Sequence, residues 1–336
     1  MVDSLFASKS GLLQAKKWGT ALLHSGTVTR LFNSKPIWAQ LKITDRCNLS
    51  CAYCNEHKRG GTHVDEEIVE GWVRHCAGLG VKHVEFIGGE PLLHPALLQL
   101  LHLAGKLKMN TGLTTNGFLL DERMADDLIA AGICRLQLSI DCIEPNAVTK
   151  KAVTNLQKQL DLIADMDIWV HVNSVVTEAT IHQSKELAGL LFERGIPVAF
   201  SPAHTDGLLT ITDENGAVRT FLKWLTAKKD EGYPVNMPQF LIDYFHSVLD
   251  GKRVSWTCEG GCKAFYVDTK GVFCTCSHQS TGIPFGDVNH KVLRNNHFRK
   301  KGCEERCGVS CMITNSFPFC RLGDVIRSDL FPGKKG

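Results

Sequence analysis

The sequence predicts an α/β fold in which six parallel strands and their crossover helices form a partial (β/α)6 barrel, followed by a small cysteine-rich C-terminal domain. Three observations predict it. Short apolar segments alternate with helical ones from Ile37 to about Phe200, the pattern of βαβ units with right-handed crossovers. Residues 251–336 hold eight of the fourteen cysteines and show little helical period. Within them, Phe265–Val267 and Val272–Phe273 flank Asp268-Thr-Lys-Gly271, which reads as a β-hairpin with a turn glycine.

Taken in order, residues 1–36 are mildly basic (Lys9, Lys16, Lys17, Arg30, Lys35) and read as a helical extension. It either packs on the domain that follows or meets a membrane surface or partner. Strands are expected at Trp38–Ile43, His83–Ile87, Asn110–Thr114, Arg135–Ile140, Trp169–Val176 and Pro197–Ser201. In the first crossover helix, Ile68, Val69, Trp72, Val73 and Cys76 recur on one face with a 3.6-residue period. In the fourth strand Leu136, Leu138 and Ile140 alternate with Gln137, Ser139 and Asp141. The apolar set faces the helices, and the polar set faces a wet or ligand-filled lumen, since unpaired buried polar groups are costly. His171 and Asn173 share a face of the fifth strand in the same way. Such a TIM-like barrel places its site at the C-terminal strand ends. A helical bridge near Thr220–Asp250 completes a barrel unit over 37–250, and 251–336 form the last domain.

Composition narrows the function. The net charge of +3 sets up no strong field for nucleic acid. No run of about 18 apolar residues would span a membrane, and no secretory signal opens the chain. A cytoplasmic protein is expected, and its tightly clustered cysteines then read as metal ligands rather than disulfides. Cys76 sits on an apolar helix stripe, and Cys134 and Cys142 flank the fourth strand, so these three read as packing.

The first cluster is Cys47-Asn-Leu-Ser-Cys51-Ala-Tyr-Cys54, just after the first strand. Three thiolates in eight residues can wrap one side of a cubane and leave one iron open. With His57 or His63 as fourth ligand, the same thiols would make a zinc knuckle. Further along, Gly88-Gly89-Glu90-Pro91 ends the second strand, Thr115-Asn116-Gly117 follows the third and Ser139-Ile140-Asp141 ends the fourth. With Asn173 in the fifth, this order over residues 37–205 resembles the radical S-adenosylmethionine superfamily. The resemblance implies that Cys47, Cys51 and Cys54 hold a [4Fe-4S] cluster whose free iron chelates S-adenosylmethionine. It further implies cofactor contacts from Tyr53, Gly88, Gly89, Glu90, Asn116, Ser139 and Asn173. Tyr53 would flank the adenine, the glycines would let backbone approach the methionyl group, and Glu90 would cap its turn or orient the ammonium. Asp141 would cap the next helix or touch substrate.

The remaining cysteines are Cys258, Cys262, Cys274, Cys276, Cys303, Cys307, Cys311 and Cys320. With the hairpin and the Gly271-x4-Cys276 step they resemble the auxiliary-cluster extension called SPASM or twitch. The Cys262-to-Gly271 gap is short for that pattern, and the closing run Cys303-x3-Cys307-x3-Cys311-x8-Cys320 departs from its usual spacing. At least one auxiliary iron–sulfur cluster, of [4Fe-4S] type, is implied, with Cys274 and Cys276 serving different centres; zinc on these thiolates is the competing reading. The expected enzyme takes electrons from a flavodoxin or ferredoxin. Its substrate is a small molecule such as a sugar, nucleoside, cofactor or lipid precursor, with a ribosomal peptide as alternative. A third reading is a non-enzymatic iron–sulfur or zinc protein. Lys42, Glu85, His171 and His204 are the candidate proton-transfer groups, none assigned as catalytic.

Overall fold

In the computed structural model the described residues are 35–54, 61–211 and 213–322. Lys9, Lys16, Lys17, Arg30 and His57 lie outside them. Six parallel strands run in order: β1 (Trp38–Lys42), β2 (His83–Ile87), β3 (Asn110–Thr115), β4 (Arg135–Ser139), β5 (Trp169–Val176) and β6 (Val198–Pro202). The crossovers are α1 (Glu66–Leu79), α2 (Leu97–Lys106), α3 (Glu122–Ala130), α4 (Val153–Asp165) and α5 (Ser184–Glu193). A two-stranded ribbon, β7 (His204–Thr205) and β8 (Leu208–Leu209), leads to α6 (Ala217–Asp230) and α7 (Gln239–Leu249). Among the described residues no helix is long and apolar enough to cross a membrane.

Strand alternation sorts the faces as expected. Leu136 and Leu138 are fully buried under the helices, while Arg135, Gln137 and Ser139 line the lumen. Gln137 pairs with His171 and Ser139 with Asn173 across β4 and β5, so four polar side chains stand side by side on one face. In α1 the apolar stripe is Val69, Trp72, Val73, Cys76 and Leu79. Ile68 is an exception: it is 48% exposed, one position off the stripe that the sheet covers.

The cysteine-rich region continues the barrel's sheet. Strand β9 (Ala264–Val267) pairs in parallel with β1, from Trp38↔Ala264 to Leu41↔Val267. The hairpin to β10 (Val272–Cys276) and then β11 (Gln279–Pro284) extends the sheet to nine strands. Phe265, Phe273 and Phe285 belong to the same apolar cluster as the barrel core. Three short helices follow: α8 (His290–Asn295), α9 (Ser310–Thr314) and α10 (Phe317–Cys320).

Candidate cofactor and substrate cavity

At the C-terminal ends of the strands, the loops surround a cavity of about 560 Å³. Cys47, Cys51, Tyr53, Cys54, Gly88, Gly89 and Asn116 line it together with Ser139 and Asn173. The cysteine loop is built against the glycine turn. Gly89 N–H donates to the Thr44 carbonyl at 2.8 Å and Glu90 N–H to the Arg46 carbonyl at 2.7 Å. A Cβ on Gly88 would sit 2.6 Å from Thr44 Cγ2, and one on Gly89 would overlap the Arg46 carbonyl oxygen. What the missing side chains admit is therefore the strand-end segment before Cys47.

Glu90 does not line the cavity. It is fully buried; its Oε1 accepts from Leu92 N–H (3.0 Å) and Thr115 Oγ1 (2.7 Å), and its Oε2 from Asn116 N–H (2.7 Å). Of its two expected roles, the structure shows capping, here joining the glycine turn to β3. Burial raises its pKa against these bonds. Asn116, thus fixed, donates through Nδ2 to Asn48 Oδ1 (2.6 Å) and towards Cys47 Sγ (3.7 Å).

Asp141 also departs from the lumen face expected of it. It lies behind the cavity wall, fully buried, and joins four segments. Oδ2 accepts from the Tyr53 hydroxyl and from Thr149 Oγ1 (2.9 Å) and pairs with Lys151 Nζ (3.3 Å), while Oδ1 accepts from Val175 N–H (2.9 Å). Burial, then the Asp141 charge, drives the Tyr53 pKa far up, so the phenol stays a donor. Lys151 lies 5.0 Å over the Tyr53 ring. Burial opposes its charge, but Asp141 and the nearby thiols more than restore it. Cys51 Sγ contacts Thr149 Oγ1 at 3.6 Å, so this network carries one side of the cysteine loop.

The lumen floor is polar and electrically balanced. Arg135 Nη1 pairs with Glu85 at 2.6 Å, and Glu85 also accepts from Thr114 Oγ1 at 2.8 Å and meets His83 Nε2 at 2.9 Å. Burial alone would raise the Glu85 pKa; Arg135 and His83 outweigh it and hold the carboxyl at about 2. Arg135 Nη2 reaches Gln137 Oε1 (3.3 Å) and His171 Nε2 (3.1 Å). Gln137 Oε1 also lies 3.1 Å from His171 Nε2. Burial, then Arg135, holds the His171 pKa well below the usual value, so the ring is neutral. Trp38 Nε1 and His171 Nδ1 are buried and have no hydrogen-bond partner among the described residues. Lys42 pairs with Asp45 at 2.9 Å, and His204 lies edge-on to His278 at the rim.

Four C-terminal thiols line a second, smaller cavity: Cys258, Cys276, Cys303 and Cys307. His278 and Val309 line both cavities, so the two adjoin. Cys258, rather than Cys262, shares this cavity with Cys276 of the hairpin. Regular alternation would put Cys274 and Cys276 on one face; a register shift between them breaks it, and only Cys276 joins the quartet. Cys311 instead lines the barrel cavity. Of the three cysteines read as packing, Cys76 and Cys142 are buried, but Cys134 is exposed.

The donor set fits cubane clusters. Leu49 N–H points at Cys47 Sγ (3.4 Å), Gly260 N–H at Cys258 Sγ (3.3 Å) and Gln279 Nε2 at Cys303 Sγ (3.3 Å), as donors do to cluster sulfurs. Thiolates on one tetrahedral zinc lie roughly 3.8 Å apart, given bonds of about 2.3 Å. Among the described residues neither Cys47, Cys51 and Cys54 nor any three of the C-terminal quartet come within 4.8 Å of one another, and His63 does not converge with them. That spread suits thiolates on separate irons. Burial pushes the Cys258 thiol up to about 12 and raises Cys47, and a bound metal would favour the thiolate of each.

Fold and cavity together define a partial-barrel enzyme whose strand-end cavity is lined by clustered thiols. A family model described as the Radical SAM superfamily matches residues 41–225, more than half of the chain, and the chain belongs to that superfamily, whose members use a [4Fe-4S] cluster and S-adenosylmethionine. A probable GTP 3',8-cyclase of Methanosarcina acetivorans is 38% identical over 128 residues, 35% of this chain and 37% of the relative. The PqqA peptide cyclase of Gluconobacter oxydans is 32% identical over 170 residues, 48% of each. The chain thus spans less than half the length of these relatives. Among solved structures, Streptococcus suis SuiB bound to S-adenosylmethionine superposes with a TM-score of 0.62 at 16% identity, over 84% of this chain and 74% of that one. The structure of anSMEcpe with bound AdoMet gives 0.59 at 19% identity, over 87% and 98%. These likenesses show the fold.

Proposed function

We propose that Cys47, Cys51 and Cys54 hold the radical-generating [4Fe-4S] cluster, and that Cys258, Cys276, Cys303 and Cys307 hold an auxiliary one beside it. In this reading S-adenosylmethionine lies along Gly88, Gly89, Asn116, Ser139 and Asn173, with Tyr53 as a flank. When bound, the reduced cluster supplies the electron that cleaves the sulfonium. The chain's own residues position and shield. Asp141 holds Tyr53 and Lys151 against the cysteine loop, Glu90 and Asn116 fix its other side, and the aromatic rings of Trp38 and Trp169 help close the lumen. The enzyme works in the cytoplasm with a small reducing protein as electron donor.

The substrate in this reading is a small polar molecule with uncharged acceptor groups, such as a sugar, nucleoside or cofactor precursor. The observation that carries it is the polar lumen face on which Gln137, Ser139, His171 and Asn173 stand side by side. These side chains offer neutral hydrogen bonds, and the Glu85–Arg135 pair leaves the floor without net charge. Relatives named PqqA peptide cyclase favour a peptide as the second reading. The test is turnover by the anaerobically reconstituted protein, with detection of 5′-deoxyadenosine, against sugars, nucleosides and short peptides. His171→Ala should raise KM for the true substrate at least about tenfold, the equivalent of one hydrogen bond, while substrate-free cleavage continues. An unchanged KM, or turnover of peptides alone, would remove the small-molecule reading.

A further inference from the structure

Away from both cavities, three side chains of different chemistry converge on one point. A carboxylate oxygen of Glu259, Cys262 Sγ and a ring nitrogen of His297 all lie within 4.8 Å of one another. Glu259 and Cys262 are fully buried. The turn that carries them is tightly built: Cys262 and Lys263 N–H both donate to the Glu259 carbonyl (3.0 and 2.9 Å), and Gly261 N–H donates to Ala264 O at 2.7 Å. Gly261 has φ +81°, and a Cβ on Gly260 would meet the Thr275 carbonyl at 2.6 Å. Two intervening residues place both side chains on one side of the turn, the logic of the two-residue spacing in zinc knuckles. His297, just past α8, brings Nδ1 to 2.6 Å from Glu259 Oε2, and Phe298 N–H donates to Oε1 at 2.9 Å.

We propose that Glu259, Cys262 and His297 bind a single zinc-class divalent ion, distinct from both iron–sulfur sites. Sulfur, imidazole nitrogen and carboxylate oxygen are the three donor types zinc accepts. Convergence on one point is the geometry of one ion, in contrast to the spread thiols of the cluster sites. A carboxylate and a thiolate neutralise a dication, so the occupied site carries no net charge beside Lys263, whose Nζ lies 4.7 Å from the centre of the Phe319 ring. The ion would fasten the turn before β9 to the segment after α8. Cys258 immediately precedes that turn, so the ion braces the auxiliary quartet.

The test is elemental analysis of the full chain, anaerobically reconstituted with iron and sulfide and then offered zinc. About one zinc per chain is expected, with iron and sulfide at their cluster values. The Glu259→Gln/His297→Gln double variant should lose at least about nine-tenths of the zinc and keep its iron, because the cluster thiols are untouched. A wild-type chain without zinc would overturn the proposal, as would a double variant that keeps it, since the ion would then sit on cluster thiols. As a check that does not depend on the double variant folding, cobalt(II) loaded in place of zinc should show a thiolate charge-transfer band that Cys262→Ser abolishes. Absence of that band in the wild type, or its persistence in Cys262→Ser, would likewise overturn it.

Discussion

Asp141 shows how one buried carboxylate sets the shape of a site it does not enter. It receives Tyr53, Thr149, Lys151 and Val175, so neutralising it leaves the Lys151 ammonium buried beside an unpaired amide. Asp141→Asn should cost about 3–5 kcal/mol, the range for breaking a buried charge pair, read as a lower urea midpoint at unchanged m-value. Glu85 gives the pH dependence. Its folded pKa of about 2 lies below its value in the unfolded chain. It therefore stabilises the fold above that unfolded value and loses the contribution as pH falls from about 5 towards 2. Urea midpoints of the apoprotein should drop over that range, and Glu85→Gln should flatten the drop. A variant slope equal to wild type would show that the Arg135 pair does not set it. Sequence made His171 visible on the polar face of the fifth strand and Glu85 as a candidate proton-transfer group. Arg135 shares the polar face of β4 with Gln137 and Ser139, so the alternation that marked them could have found it. Lys151 left no signal: it sits in an irregular loop, and its role exists only through Asp141, ten positions away.

At the scale of elements, the glycine turn and the cysteine loop act as one unit. The sequence offered the pair Gly88-Gly89 as a place for cofactor backbone contact; the structure adds that the glycines let two strand-end loops touch. Gly89→Ala should push the Arg46 backbone away and displace Cys47. Iron in the reconstituted protein should then fall by about one four-iron cluster, while the auxiliary four remain. Retention of full iron would mean the loops tolerate separation. Strand positions were legible because parallel strands under helices are short apolar runs with a clear polar face. The division of the eight C-terminal cysteines was not, because it depends on a bulge between Cys274 and Cys276 and on turns at Glu259 and Glu304 that spacing does not encode.

For the molecule as a whole, the unexpected feature is continuity. Because β9 pairs with β1, the quartet of Cys258, Cys276, Cys303 and Cys307 is held at the edge of the sheet that also carries the Cys47–Cys54 loop, and His278 and Val309 line both cavities. A long-range parallel pairing of this kind cannot be read from local pattern, since Trp38 and Ala264 are far apart in sequence. It predicts that the two centres are chemically separable yet spatially coupled. Replacing Cys276 and Cys303 with alanine should remove about four irons and abolish product formation while sparing cleavage of S-adenosylmethionine, measured as 5′-deoxyadenosine. Loss of that cleavage as well would show that the second centre is needed to assemble the first.

The most direct measurement is iron content and 5′-deoxyadenosine formation in the anaerobically reconstituted Cys47→Ala/Cys51→Ala/Cys54→Ala chain beside wild type. The variant should lose about four irons, keep the auxiliary complement and make no 5′-deoxyadenosine under reducing conditions. A variant that retains its full iron, or still cleaves S-adenosylmethionine, would contradict it.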